Sequence, residues 1–157
     1  MTENLILEVL QPTTRKPELG DIFVLKPRGR DFYFGRVMLF DTALARGYPV
    51  VYIYNATARN PQSIPALRPD ALLIAPQAVN YLPWHRGYFQ TIANKPIDPS
   101  DLLQTHCFYD PVSQSCKDEF GKILADSVEP CGTFGIGSYR TIDDSISTAL
   151  NLPLTPD

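Results

Sequence analysis

Near the start of the chain, two runs of β-branched and aromatic residues face each other across a short polar connector, and the remaining segments must pack around that pair. Asp21-Ile22-Phe23-Val24-Leu25 reads as one strand and Phe32 to Leu39 as its antiparallel partner. The connector, Lys26-Pro27-Arg28-Gly29-Arg30-Asp31, holds the Pro and Gly that short hairpin loops use.

Downstream, Tyr48 to Tyr54 is the clearest strand. Val50 to Tyr54 is apolar and aromatic without polar alternation, which predicts cover on both faces and a central position in a sheet. Leu5 to Leu10 reads as a short leading strand, and Gln11 to Glu18, with Pro12 and Pro17, as an extended connector. Asp41 to Gly47 reads as a loop or a single helical turn, and Asn55 to Pro69, with three prolines, as a surface excursion. Asp70 to Ile74 leads into a buried strand or a turn of helix that should stop near Pro76. Asn94 to Ser100 is another connector, and His106 to Tyr109 pairs with Lys117 to Ile123 across a turn. Ile142, Ile146, Ala149 and Leu150 share one helical face, with Thr141 as cap and Asp143 and Asp144 at the positive end of the dipole. The expected architecture is α+β: a strongly bent antiparallel sheet or half-open barrel with a C-terminal helix laid against it. It forms a single domain over 1–157, with a leading segment to 18 and a core domain over 19–152.

A chain of 157 residues with 44% hydrophobic and 20% charged residues can bury a core without disulfides or metal. No apolar run reaches membrane-span length, and the first 18 residues lack the basic flank and cleavage site of a secretory signal, so a cytoplasmic location is expected. The net charge of −3 opposes a protein that tracks a phosphate backbone. Its densest cations, Lys26, Arg28, Arg30 and Arg36, are interrupted by Asp21 and Asp31 and read as a solvated loop.

No constellation argues for catalysis. Cys107, Cys116 and Cys131 are odd in number and lack CxxC spacing, which predicts three free thiols in a reducing compartment. His106 and Cys107 are neighbours, so in a strand they point to opposite faces and do not pair as base and nucleophile. Asp118 with Glu119 and Asp143 with Asp144 diverge for the same kind of reason. Gly132 to Ser138 precedes a helix but lacks the Lys and Ser/Thr of a nucleotide loop, leaving a sharp turn or close packing. No catalytic residue, cofactor or metal is expected.

The most aromatic stretch, Tyr81 to Phe89, contains the only Trp. Trp84 and Phe89 read as core, whereas His85, Arg86 and Tyr88 have the residue types of binding hot spots and read as exposed.

Together, Gly20-Asp21-Ile22-Phe23, Phe34-Gly35-Arg36-Val37, the strand Val50 to Tyr54, Trp84-x-x-Gly87-x-Phe89 and Gly135-Ile136-Gly137-Ser138 resemble the immunity protein 26 family of bacterial polymorphic-toxin systems. The resemblance spans Gly20 to Leu152 and leaves 1–18 and 55–69 unexplained. It implies a protein that binds a cognate toxin and blocks it stoichiometrically, without catalysis, acting as a monomer or small homo-oligomer with neither nucleic-acid nor membrane partners. Surface candidates for the toxin interface, chosen by residue type, are Tyr33, Arg36, His85, Arg86 and Tyr88. Two other readings stand beside it: an SH3-like nucleic-acid-binding barrel, and a hydrolase or transferase using Cys131.

Overall fold

The structure, a computed structural model, describes residues 5–154. In chain order its elements are β1 (Asp21–Leu25), β2 (Phe32–Phe40), β3 (Pro49–Ala58), β4 (Leu72–Val79), α1 (Leu82–His85), β5 (Gln90–Asn94), β6 (Cys107–Asp110), β7 (Ser115–Lys117), β8 (Cys131–Thr133), β9 (Ile136–Gly137) and α2 (Tyr139–Ala149), with one 3-10 turn at Pro99–Asp101. The larger sheet runs β5-β1-β2-β3-β4-β9 and is open at both edges; the smaller runs β7-β6-β8. Pairing is antiparallel except at β4–β9 and β6–β8. The expected α+β fold, an open bent sheet with a C-terminal helix, is what forms.

The hairpin sits inside the larger sheet, with Phe23 opposite Gly35 and Leu25 opposite Tyr33. Register irregularities between Tyr33 and Gly35 and between Val37 and Leu39 break the β2–β3 ladder, which bends and twists the sheet. Gly35 is required by close approach: a Cβ there would lie 2.3 Å from the Phe23 ring. That ring stacks on Phe89 at 4.3 Å and meets Trp84 edge-on at 5.4 Å, so Trp84 and Phe89 fill the core as their residue types suggest. Gly87 supplies the left-handed turn between them, at φ +84° and against the backbone of Pro12.

Several boundaries differ from the sequence reading. β4 runs through Pro76 instead of stopping there. Its register steps from Gln77 opposite Val51 to Ile74 opposite Ile53, a bulge that places Pro76 where no ladder N–H is needed. Strand β3 extends to Ala58, into the segment read as a surface excursion. Leu5 to Leu10 forms only a bridge, Leu7 to Pro27, yet Leu5 and Leu7 are buried in the main core. β7 lies at 115–117, upstream of the expected partner strand, and the glycine-rich tract supplies β8 and β9.

α2 begins two residues earlier than Thr141. Ser138 is its cap, accepting the Arg140 N–H at 3.3 Å while Thr141 Oγ1 accepts the Ser138 N–H at 3.2 Å. Ile142 and Ile146 face the core, as the periodicity indicates, and α2 packs on β4 and β9. Asp143 is buried rather than solvated, and its Oδ1 accepts the Leu7 N–H at 3.0 Å. Among the described residues, no helix is long and apolar enough to cross a membrane.

Candidate functional site

The five residues chosen by type for an interface separate into two groups. Tyr33, Arg36 and Tyr88 are buried, contrary to the expected exposure, while His85 and Arg86 are exposed at the end of α1. Strand β2 lies between β1 and β3, and apolar clusters cover both of its faces, so neither Tyr33 nor Arg36 reaches solvent. Arg36 Nη1 pairs with Asp101 at 3.1 Å, and Nη2 donates to the carbonyls of Lys95 at 2.7 Å and Pro96 at 3.1 Å. Tyr88 stacks on Tyr139 at 5.2 Å, and the Arg86 guanidinium lies over the same Tyr139 ring at 5.3 Å.

Two other hairpin cations, Lys26 and Arg28, are also engaged within the chain, while Arg30 is exposed. Lys26 pairs with Glu8 at 2.7 Å, and Arg28 donates to the Leu5 carbonyl at 2.6 Å. With Arg36 buried, the hairpin does not present the row of free cations that phosphate tracking needs.

A second region gathers polar groups that the sequence keeps far apart. Tyr52 on β3 hydrogen-bonds His106 Nε2, and His106 Nδ1 contacts Glu119. The Tyr52 oxygen also accepts the Leu103 N–H at 3.2 Å. Burial pushes the Tyr52 phenol up to about 12, with the Leu103 N–H opposing and the Glu119 charge reinforcing the rise. The raised value favours the protonated phenol beside His106. The neighbouring Thr42 hydroxyl accepts the Leu44 N–H at 3.2 Å, and the Tyr52–His106–Glu119 chain tethers β3 to the 118–122 turn.

The tether holds a turn. Asp118 Oδ1 accepts the N–H groups of Phe120 and Lys122, both at 2.9 Å, and the Glu119 carbonyl accepts the Ala43 N–H at 2.9 Å. Phe120 is thereby fixed at the lip of a groove of about 330 Å³ lined by Phe40, Leu102, Leu103 and His106. Phe120 is 81% exposed, and residues 109–128 also expose Val112 at 93%, Ile123 at 63%, Tyr109 and Val128. Single exposed apolar residues are ordinary, and here several large ones fall within residues 109–128. Residue type alone did not single out Phe120, because nothing in its neighbours' pattern distinguishes an outward Phe from a core Phe.

The smaller sheet also assembles the three cysteines. Cys107 is opposite Cys131, and Cys116 is opposite Tyr109, which shares a face of β6 with Cys107. All three therefore project from one face, and their sulfurs lie within 4.8 Å of one another, Cys107 and Cys131 at 3.0 Å. No disulfide links them; the expected free thiols are found, but together rather than scattered. Burial works to raise the Cys107 thiol, but hydrogen bonds from Cys131, the Val128 N–H, Cys116 and Ser127 hold it below the ordinary thiol value. Burial and the adjoining Cys107 sulfur push the Cys131 thiol up to about 12, the direction opposite to that of an activated nucleophile. On the opposite face of β6, His106 stacks on Phe108 at 6.4 Å, so His106 and Cys107 do point apart.

No curated protein and no solved structure matches the chain. A family model, Immunity protein 26, matches residues 18–118, well over half of the sequence. The matched segment takes in the hairpin, α1, β6 and β7, and stops just before Phe120. On that match, the chain belongs to the Immunity protein 26 family.

Proposed function

We propose that this protein is an immunity protein that binds a cognate bacterial toxin and neutralises it by occlusion, one chain to one toxin and without catalysis. Membership of the Immunity protein 26 family is the observation that carries this reading. It accords with a raised Tyr52 phenol, a raised Cys131 thiol and internal partners for Lys26, Arg28 and Arg36.

The anchor of the interface is Phe120, with the exposed Val112 and Ile123 of the same stretch of chain as further contacts. Stable complexes bury about 800 Å² on each partner and concentrate their energy in a few aromatic and Arg side chains near the centre. The segment 41–48 extends this surface: Ala43 donates to the Glu119 carbonyl, and the Gly47 carbonyl accepts the Tyr81 hydroxyl at 2.5 Å. Tyr81 in turn meets the His85 ring at 6.1 Å, which supports reading His85 and the exposed Arg86 as outlying contacts. Tyr33, Arg36 and Tyr88 act through the fold.

The test is affinity capture of the tagged chain from its native host under toxin-inducing conditions, with nuclease treatment and mass spectrometry. A single nuclease-resistant protein partner near equal stoichiometry is expected. Recovery of nucleic acid, or of no protein, contradicts the proposal.

A further inference from the structure

We infer that Cys107, Cys116 and Cys131 form a binding site for a soft, closed-shell metal cation, zinc in the first instance, held by three thiolates on the outer face of the smaller sheet. The positions are nine and fifteen residues apart, a spacing that matches no short metal motif. The fold, not the spacing, makes the site. β6 is the middle strand, and its neighbours on either side each present one cysteine on the face that Cys107 occupies.

The geometry suits a metal better than a disulfide. Sulfurs bonded to zinc at about 2.3 Å with tetrahedral angles lie about 3.8 Å apart. The three sulfurs here fall within 4.8 Å of one another, and the closest pair, at 3.0 Å, opens slightly to admit the ion. A disulfide between Cys107 and Cys131 would consume two sulfurs and leave the convergence of the third unaccounted for. Hydrogen bonds from backbone amides and hydroxyls to thiolate sulfur are the usual outer support of such sites. Here Val128 N–H donates to Cys107 Sγ at 3.4 Å, and Ser127 reaches both Cys107 and Cys131.

Among the described residues no His, Asp or Glu joins the three sulfurs, so the fourth position is left to water or an external donor. The surrounding structure has reason to need a staple. β6, β7 and β8 are four, three and three residues long, and residues 124–130 between Ile123 and β8 contain no strand or helix. A metal bound by thiols from all three strands stabilises that unit by its own binding free energy. The site is independent of any toxin partner.

The decisive experiment is a cobalt(II) titration of the full chain, stripped with chelator and kept reduced and anaerobic, followed by zinc competition. A thiolate-to-cobalt charge-transfer band that saturates at one equivalent and is displaced by zinc is expected. Replacing a supporting group alone typically lowers metal affinity 10- to 100-fold, so removal of a ligand in Cys116→Ser should lower zinc affinity by at least about 100-fold. Absence of the charge-transfer band in the wild-type chain overturns the site, whether or not the variant folds. So does unchanged zinc affinity in a folded Cys116→Ser chain, or a wild-type chain that, isolated anaerobically, carries a Cys107–Cys131 disulfide and one free thiol.

Discussion

Arg36 and Asp101 form an ion pair at 3.1 Å that ties the interior of the larger sheet to the 3-10 turn at Pro99–Asp101. Asp101 Oδ2 also accepts the Asp98 N–H at 2.8 Å, so one carboxylate oxygen joins the turn's own cap to the hairpin. Arg36 lies within the family-matched segment. Its work is to hold residues 95–101 against β2.

Replacing Arg36 with Met therefore tests the fold rather than the interface. Removing one partner of a buried pair costs about 3–5 kcal/mol. Asp101 keeps some solvent contact, which brings the expected loss to about 2–3 kcal/mol, read as a lowered urea midpoint at unchanged slope. Toxin affinity of the folded variant should match wild type; a folded, equally stable variant that binds weakly would return Arg36 to the interface.

Gly35→Ala should destabilise the chain by about 3 kcal/mol, the upper end of ordinary overpacking. The added Cβ meets the Phe23 ring at 2.3 Å, and that ring is pinned between Phe89 and Trp84. The double variant Gly35→Ala, Phe23→Leu should recover part of the loss, because the clash is with the ring. Thermal unfolding of the pair decides this: purely additive losses would show that the contact is not the cause.

Alkaline pH should unfold the protein through its buried tyrosines. Burial raises Tyr52 to about 12 and Tyr54 higher still, from an ordinary value of 10.0. Between the unfolded and folded values the native state holds more protons, so stability is complete below pH 10 and falls as pH rises toward 12 and beyond. The slope is about 1.4 kcal/mol per pH unit for each tyrosine. Denaturant titrations at stepped pH should show Tyr54→Phe with a shallower fall by about that amount; parallel curves would contradict the assignment.

Phe120→Glu should leave stability within about 0.5 kcal/mol of wild type, as expected for an exposed side chain. It should weaken toxin binding by at least about 30-fold, the loss that defines a hot spot of about 2 kcal/mol. Calorimetric titration against the toxin reads both the affinity and the stoichiometry. The pair His85→Ala, Arg86→Ala should produce a smaller loss, about 10-fold, and wild-type affinity in Phe120→Glu would move the anchor off this tract.

The hairpin, β3 and α2 were legible because each satisfies a local rule: alternation or apolar runs for strands, 3.6-residue periodicity for the helix. The full length of β4 is not legible, because Pro76 reads as a stop wherever a ladder N–H is assumed, and only the β3–β4 register reveals the bulge that excuses it. Arg36 read as outward because a cation in a strand ordinarily points to water. Its burial depends on residues about sixty positions away, Lys95, Pro96 and Asp101, which no local pattern announces. The thiol cluster was hidden for the same reason. Cysteine spacing reports proximity only when a turn enforces it, whereas here three strands do, one of them parallel. The helix is legible but its cap is ambiguous in sequence, since both Ser138 and Thr141 are suitable and the two share one capping box.

The central claim, stoichiometric neutralisation, is tested most directly by titrating the purified chain into a fixed amount of the captured toxin while following the toxin's own activity. Residual activity should fall linearly to zero at one chain per toxin molecule, with a sharp break when the toxin concentration is far above the dissociation constant. Activity that persists beyond equivalence, or that disappears at a small fraction of it as an enzyme would cause, contradicts the account.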